Sequence, residues 1–202
     1  MNVQEAVDAW QGQYSGQPPV GFMLRFSHES VWTRVNYVHD GSEATADDDR
    51  QTASRFDAVA SSLFTGTTVL VVAIQLDGGH KDASALQEIG ATPIASPEIW
   101  TTALGEYLPD PNRAGFMAAT LGWQRGCLDR LWLAVARDLV GRIAIFCPAT
   151  GDAFCPYGNG ADVFVWGSER RSKLGERFKA WLPAAPLPGP MARPAGQVTE
   201  RG

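Results

Sequence analysis

Apolar positions along the chain switch between two spacings. Val3, Ala6, Val7, Trp10 and Tyr14 recur three or four residues apart, which predicts an amphipathic helix ending near Gly12 to Gly16, before Gln17-Pro18-Pro19. Gly21–Phe26 and Val31–Val38 are short apolar runs around the polar Ser27–Ser30, which predicts two antiparallel strands. Thr45 then stands as an N-cap before Ala46-Asp47-Asp48-Asp49, and Ala53, Phe56, Val59, Ala60 and Leu63 form the buried stripe of a helix running to Phe64. Thr67–Leu76, dominated by β-branched residues, is expected to be a central strand.

The segment Asp77–Ser96 has scattered apolar positions and is expected to be a surface excursion with a short helix around Ala83–Ile89. Pro97–Leu108 predicts a helix and Ala114–Trp123 a strand. Leu128, Leu131, Trp132, Val135 and Leu139 define one helical face, closed by Gly141. Arg142–Cys147, Ala153–Tyr157 and Ala161–Trp166 are three strands of a meander, the second turn carrying Gly158-Asn159-Gly160. Ser168 is the expected N-cap of a last helix, with Leu174, Phe178 and Trp181 buried and Pro183 ending it. The sum is an α+β fold, a mainly antiparallel sheet of about six or seven strands packed by about three or four helices in two layers.

Composition sets the boundaries. With 45% hydrophobic residues in 202, one core suffices, so residues 1–182 are expected to form a single domain and the Pro-, Gly- and Ala-rich residues 183–202 a flexible tail. The net charge of -5 argues against a nucleic-acid surface and favours a basic partner. Neither a signal-peptide pattern nor a membrane-length apolar run occurs, so a cytoplasmic location is expected. Cys127, Cys147 and Cys155 are then reduced thiols; of possible bridges, only Cys147–Cys155 would be brought near by a turn. No cysteine or histidine pair has zinc-ligand spacing, and no glycine fingerprint of a phosphate or dinucleotide site is present, so no metal or cofactor is expected.

Phe154–Leu182, with its strand, Pro-Tyr, Gly-rich turn, Ala-Asp strand, helix and Trp-Leu ending, resembles a bacterial family, domain of unknown function number three-eight-eight-five. Pro19-Val20-Gly21-Phe22-Met23-Leu24-Arg25 and Val31-Trp32-Thr33-Arg34 resemble it too. The resemblance implies a fold and no reaction. Gly158-Asn159 stands where the pattern has Asp-Gly, and Asn36 where it has His.

The candidate chemistry is sparse. Tyr157 and Asp162 bring a phenol and a carboxylate to one hairpin, although Asn159-Gly160 and a locally bonded Asp162 also suit a plain turn. Arg25 and Arg34, on neighbouring predicted strands, would grip an anion or pair across a solvated sheet face. Asp47 and Asp48 would meet a basic partner or cap a helix. His28, His39 and His80 lie in predicted loops without an assured partner, Cys127 precedes a helix, and no serine sits in a nucleophile elbow. Trp32, Trp100, Trp123 and Trp166 cannot all be assigned to core faces, which is an interface signal, although most of them are expected in the core. The expected function is a small non-enzymatic protein-binding domain of immunity or antitoxin type. The alternatives are a hydrolase or transferase with loop-borne residues, and an oligomerising structural or accessory module.

Overall fold

The computed structural model describes residues 1–36, 45–75, 81–95, 97–105, 107–108, 110, 114–158 and 160–183. Its strands are β1 (Trp32–Asn36), β2 (Thr68–Gln75), β3 (Thr92–Ile94), β4 (Gly115–Gly122), β5 (Ile143–Phe146), β6 (Ala153–Tyr157) and β7 (Gly160–Phe164). They form one sheet in the order β1-β7-β6-β5-β2-β4-β3, with every neighbouring pair antiparallel. The helices are α1 (Val3–Gln13), α2 (Gly21–Ser27), α3 (Ala46–Phe64), α4 (Ser84–Glu88), α5 (Glu98–Gly105), α6 (Asp129–Ala136) and α7 (Ser168–Arg177). The expected α+β fold with a seven-stranded antiparallel sheet is thus present.

Alternation along β2 shows where the core lies. Val69, Val71 and Ala73 join Phe56, Trp132 and Leu174 from α3, α6 and α7, the three helices expected to pack the sheet. Leu70, Val72 and Ile74 point the other way, into a second cluster with Trp10 of α1, Leu24 of α2 and Trp100 of α5. Both faces of β2 are therefore buried, which is why its sequence is apolar at consecutive positions. Trp100 and Trp123 are core residues, so two of the four tryptophans in apparent surplus are used for packing.

Three expectations change. Gly21–Phe26 is helix, not strand, so the N-terminal hairpin does not exist and Arg25 lies on α2. Val20, Met23 and Leu24 are buried at helical spacing while Phe22 and Phe26 are exposed. A six-residue run is too short for periodicity to separate helix from strand, and here packing decides. Second, Thr92–Ile94 inside the expected surface excursion is the edge strand β3; Pro93 sits there because an edge strand tolerates a missing donor. Third, Ser168 is the first residue of α7, and Gly167 takes the cap position without a side-chain bond.

All three cysteines are free thiols, so Cys147 and Cys155 are not bridged. Among the described residues no cluster of metal-ligating side chains occurs, and no helix is long and apolar enough to cross a membrane. His39, His80, Asn159, the end of the expected strand at 37–38 and the tail at 184–202 lie outside the described residues.

Candidate functional site

β1, β7 and β6 are adjacent at one edge of the sheet, and their register aligns three polar positions. Asp162 on β7 is opposite Arg34 on β1 and Cys155 on β6, so the three share a face. α2 crosses that face. A Cβ on Gly21 would stand 2.8 Å from Asp162 Oδ2 and 2.9 Å from the Cys155 Cβ, so only glycine lets the helix start this close to the strands. One turn later α2 delivers Arg25 to the carboxylate. The result is a cavity of about 260 Å³, lined by Arg25, Arg34, Arg142, Tyr157 and Asp162 among apolar walls.

Asp162 is the hub. Its side chain is only 2% exposed; Oδ1 accepts a 3.0 Å hydrogen bond from the Trp32 indole, and Oδ2 faces Arg25 Nε at 3.5 Å. Burial pushes its carboxyl above the ordinary range, against the pull of Arg25, the Trp32 hydrogen bond and Arg34. Desolvation outweighs attraction here because Arg25 is partly exposed and its pairing is long. The Arg25 guanidinium also stands over the Trp32 ring, 5.6 Å from its centroid.

Arg34 is held differently. Its guanidinium lies over the Tyr157 ring, 5.3 Å from the centroid, and its Nε is buried without a hydrogen-bond partner. The Tyr157 hydroxyl is likewise buried, and its near neighbour is the Arg34 side chain. Burial and the nearby Asp162 raise its pKa, opposed by Arg34 and Arg25. Tyr157 reaches this position across Gly160, its partner on β7, where a Cβ would lie 2.9 Å from the Val35 carbonyl oxygen and 3.1 Å from the Tyr157 hydroxyl. Arg142, immediately before β5, supplies the third cation of the lining. Three guanidinium groups thus face one carboxylate.

The mouth is aromatic. Phe22 lines the cavity and packs edge-on against Tyr107 at 5.5 Å. Phe22, Tyr107 and Phe26 are 36%, 37% and 42% exposed, large apolar side chains left in water around a charged cavity.

The family model described as Domain of unknown function (DUF3885) matches residues 15–186, from the end of α1 past α7, and takes in every side chain of this cavity. The chain belongs to this family. No curated protein and no solved structure matches it. The DUF3885 match supports the family resemblance as a whole and assigns no reaction.

In this DUF3885 chain, four of the six candidate residues, Arg25, Arg34, Tyr157 and Asp162, come together in one cavity. Asp47 and Asp48 do not join them. They occupy the first turn of α3, where Asp48 completes a capping box with Thr45 and Asp47 pairs with Arg50. Sequence inspection missed Arg142 and the close approach at Gly21. His28 is packed edge-on against Tyr14 and Trp166 and its pKa is lowered by burial, the part of an aromatic spacer rather than a catalytic base. Burial pushes the Cys127 thiol up, so the helix that follows does not activate it.

A larger groove of about 460 Å³ runs beside Asp57, lined by Arg50, Arg125 and Asp129. Asp57 accepts from the Gly126 amide at 3.0 Å and from Arg125 Nε at 3.2 Å, which ties the loop before α6 to α3. Its charges are balanced and the carboxylate is spent on local bonds. Asp152 is similar: fully buried, it accepts from the Trp166 amide and Thr150 and pairs with Arg170.

Proposed function

We propose that this protein is a non-enzymatic binding domain that docks a partner protein on the face formed by α2, β1 and the β6–β7 hairpin. The observation that carries the proposal is the exposed aromatic rim of Phe22, Phe26 and Tyr107 around the arginine-lined cavity. Aromatic and arginine side chains combine large contact area with directional bonding, and they dominate the energetics of protein interfaces. Trp100 and Trp123 no longer contribute to this argument, since both are buried.

The net charge of -5 favours a basic partner at long range, whereas recognition in the cavity acts at contact. An immunity or antitoxin role in a bacterial cytoplasm is the form of binding that suits an acidic chain with three free thiols. A second reading, a hydrolase or transferase, has one observation in its favour: the buried Tyr157 hydroxyl lies near Arg34 and a buried carboxylate. Against it, both Asp162 oxygens are already engaged by Trp32 and Arg25.

Affinity capture from the native host with the wild-type chain and a Phe22→Ser/Phe26→Ser variant tests the proposal. A stoichiometric partner recovered only with the wild-type chain is expected. Equal recovery with both proteins would overturn the assignment of this face. Self-association abolished by the same variant would replace the partner with a second copy of the chain, the oligomerising alternative.

A further inference from the structure

Within that face, we infer that the cavity binds a small oxyanion group, a carboxylate or phosphate carried on an apolar or aromatic body, with the guanidinium groups of Arg34 and Arg142 as its principal donors. The inference rests on the binding-face proposal for its biological setting and on the cavity alone for its chemistry.

Among the described residues three arginines line the cavity against one carboxylate, a surplus of positive charge in a partly desolvated place. Arg25 is committed to Asp162, but Arg34 makes no ion pair among the described residues, and its Nε lacks any acceptor. The Tyr157 ring lies beneath the Arg34 guanidinium, 5.3 Å from its centroid, and a guanidinium held over a ring still offers N–H donors at its edges to an oxyanion. Arg142 likewise makes no ion pair among the described residues, so its charge too is open to a bound anion. A metal cation is disfavoured at this place, because the lone carboxylate is occupied and the remaining charges repel it.

The walls set the size of the body. Val20, Phe22, Ile143 and Pro156 are apolar, and a volume of about 260 Å³ lies below the usual range of roughly 300–1,000 Å³ for drug-sized ligands. A single acidic side chain, a chain-terminal carboxylate or a ring-sized acid fits that description, and a nucleotide does not.

Benzoate, phenyl phosphate and neutral benzamide are the probes, titrated into the full chain and followed by the NMR signals of the arginine Nε–H groups and by calorimetry. Arg34→Met and Arg142→Met each remove one cation of the lining and break no ion pair among the described residues, so one serves if the other fails to fold. The expected result is saturable benzoate or phenyl phosphate binding that shifts the Arg34 signal, is about ten- to a hundredfold weaker in Arg34→Met, and is not reproduced by benzamide. The stronger of the two anions identifies the source as carboxylate or phosphate. Benzamide binding as well as benzoate, equal binding by wild type and Arg34→Met, or no saturation by either anion below about 10 mM would each overturn the inference. Phe26→Ser, outside the cavity lining, separates the two claims: loss of the captured partner with benzoate binding retained leaves both standing. Partner capture that survives in Arg34→Met while no anion binds leaves only the docking face.

Discussion

Replacing Asp162 separates the need for a hydrogen-bond acceptor from the need for a charge. Asp162→Ala removes the acceptor of the Trp32 indole and the counter-charge of Arg25. A hydrogen bond to a charged acceptor contributes about 1.5–3 kcal/mol. The Arg25 pairing, at 3.5 Å with Arg25 29% exposed, contributes about 0–1 kcal/mol. Relief from burying the carboxylate offsets part of this, so Asp162→Ala should cost about 2–3 kcal/mol, a drop in Tm of about 5–10 °C for a domain of this size. Asp162→Asn keeps an acceptor for the indole and discards only the costly charge, so its loss should stay within about 1 kcal/mol. The pH dependence follows with a definite sign. Burial raises the folded carboxyl above its ordinary pKa of 3.8, so the stability it contributes is fully present below that value and is lost as pH rises through the folded pKa. Urea denaturation of the three proteins across the acid range measures both effects. Asp162→Asn as destabilising as Asp162→Ala, with the wild-type pH slope unchanged in both, would refute the reasoning.

Gly160→Ala should destabilise by about 1–3 kcal/mol, because the added Cβ meets the Val35 backbone oxygen at 2.9 Å and that strand cannot move aside cheaply. Gly12→Ala, on α1 with nothing within 4 Å, should instead stabilise by about 0.5 kcal/mol; paired thermal melts check the opposite signs. His28 has a pKa lowered from 6.5 by burial, so its contribution is present above that value and is lost as pH falls through the folded pKa. An imidazole NMR titration midpoint at or above 6.5 would contradict this, as would an unchanged pH slope of stability in His28→Gln. Thr45→Ala should cost about 1 kcal/mol through loss of the α3 capping box, read as a lowered denaturation midpoint.

Long periodic segments were legible in the sequence. The α3 stripe, the β2 run and the C-terminal meander all lie where their spacing places them, because each buries enough apolar surface to dictate its own conformation. α2 was not. Its seven residues satisfy a strand pattern locally, and the helix is selected by Met23 and Leu24 packing under the sheet and by Gly21 touching Asp162. The site was half legible for a related reason. Arg34 and Asp162 were named from their strands, but their meeting depends on the β1–β7 register, which pairs segments some 130 residues apart and has no local signature. Arg142 carried no signal, since a lone arginine before a strand is ordinary. The acidic Asp47 and Asp48 gave a strong signal whose cause was helix capping.

The most direct test of the docking face is site-specific photo-crosslinking in the native host, with the crosslinker placed in turn at Phe26, beside the cavity, and at Asp47, on α3. The account predicts a discrete crosslinked partner from position 26 that disappears with Phe22→Ser, and none from position 47. A partner captured from position 47, or one from position 26 that is indifferent to Phe22→Ser, would contradict it.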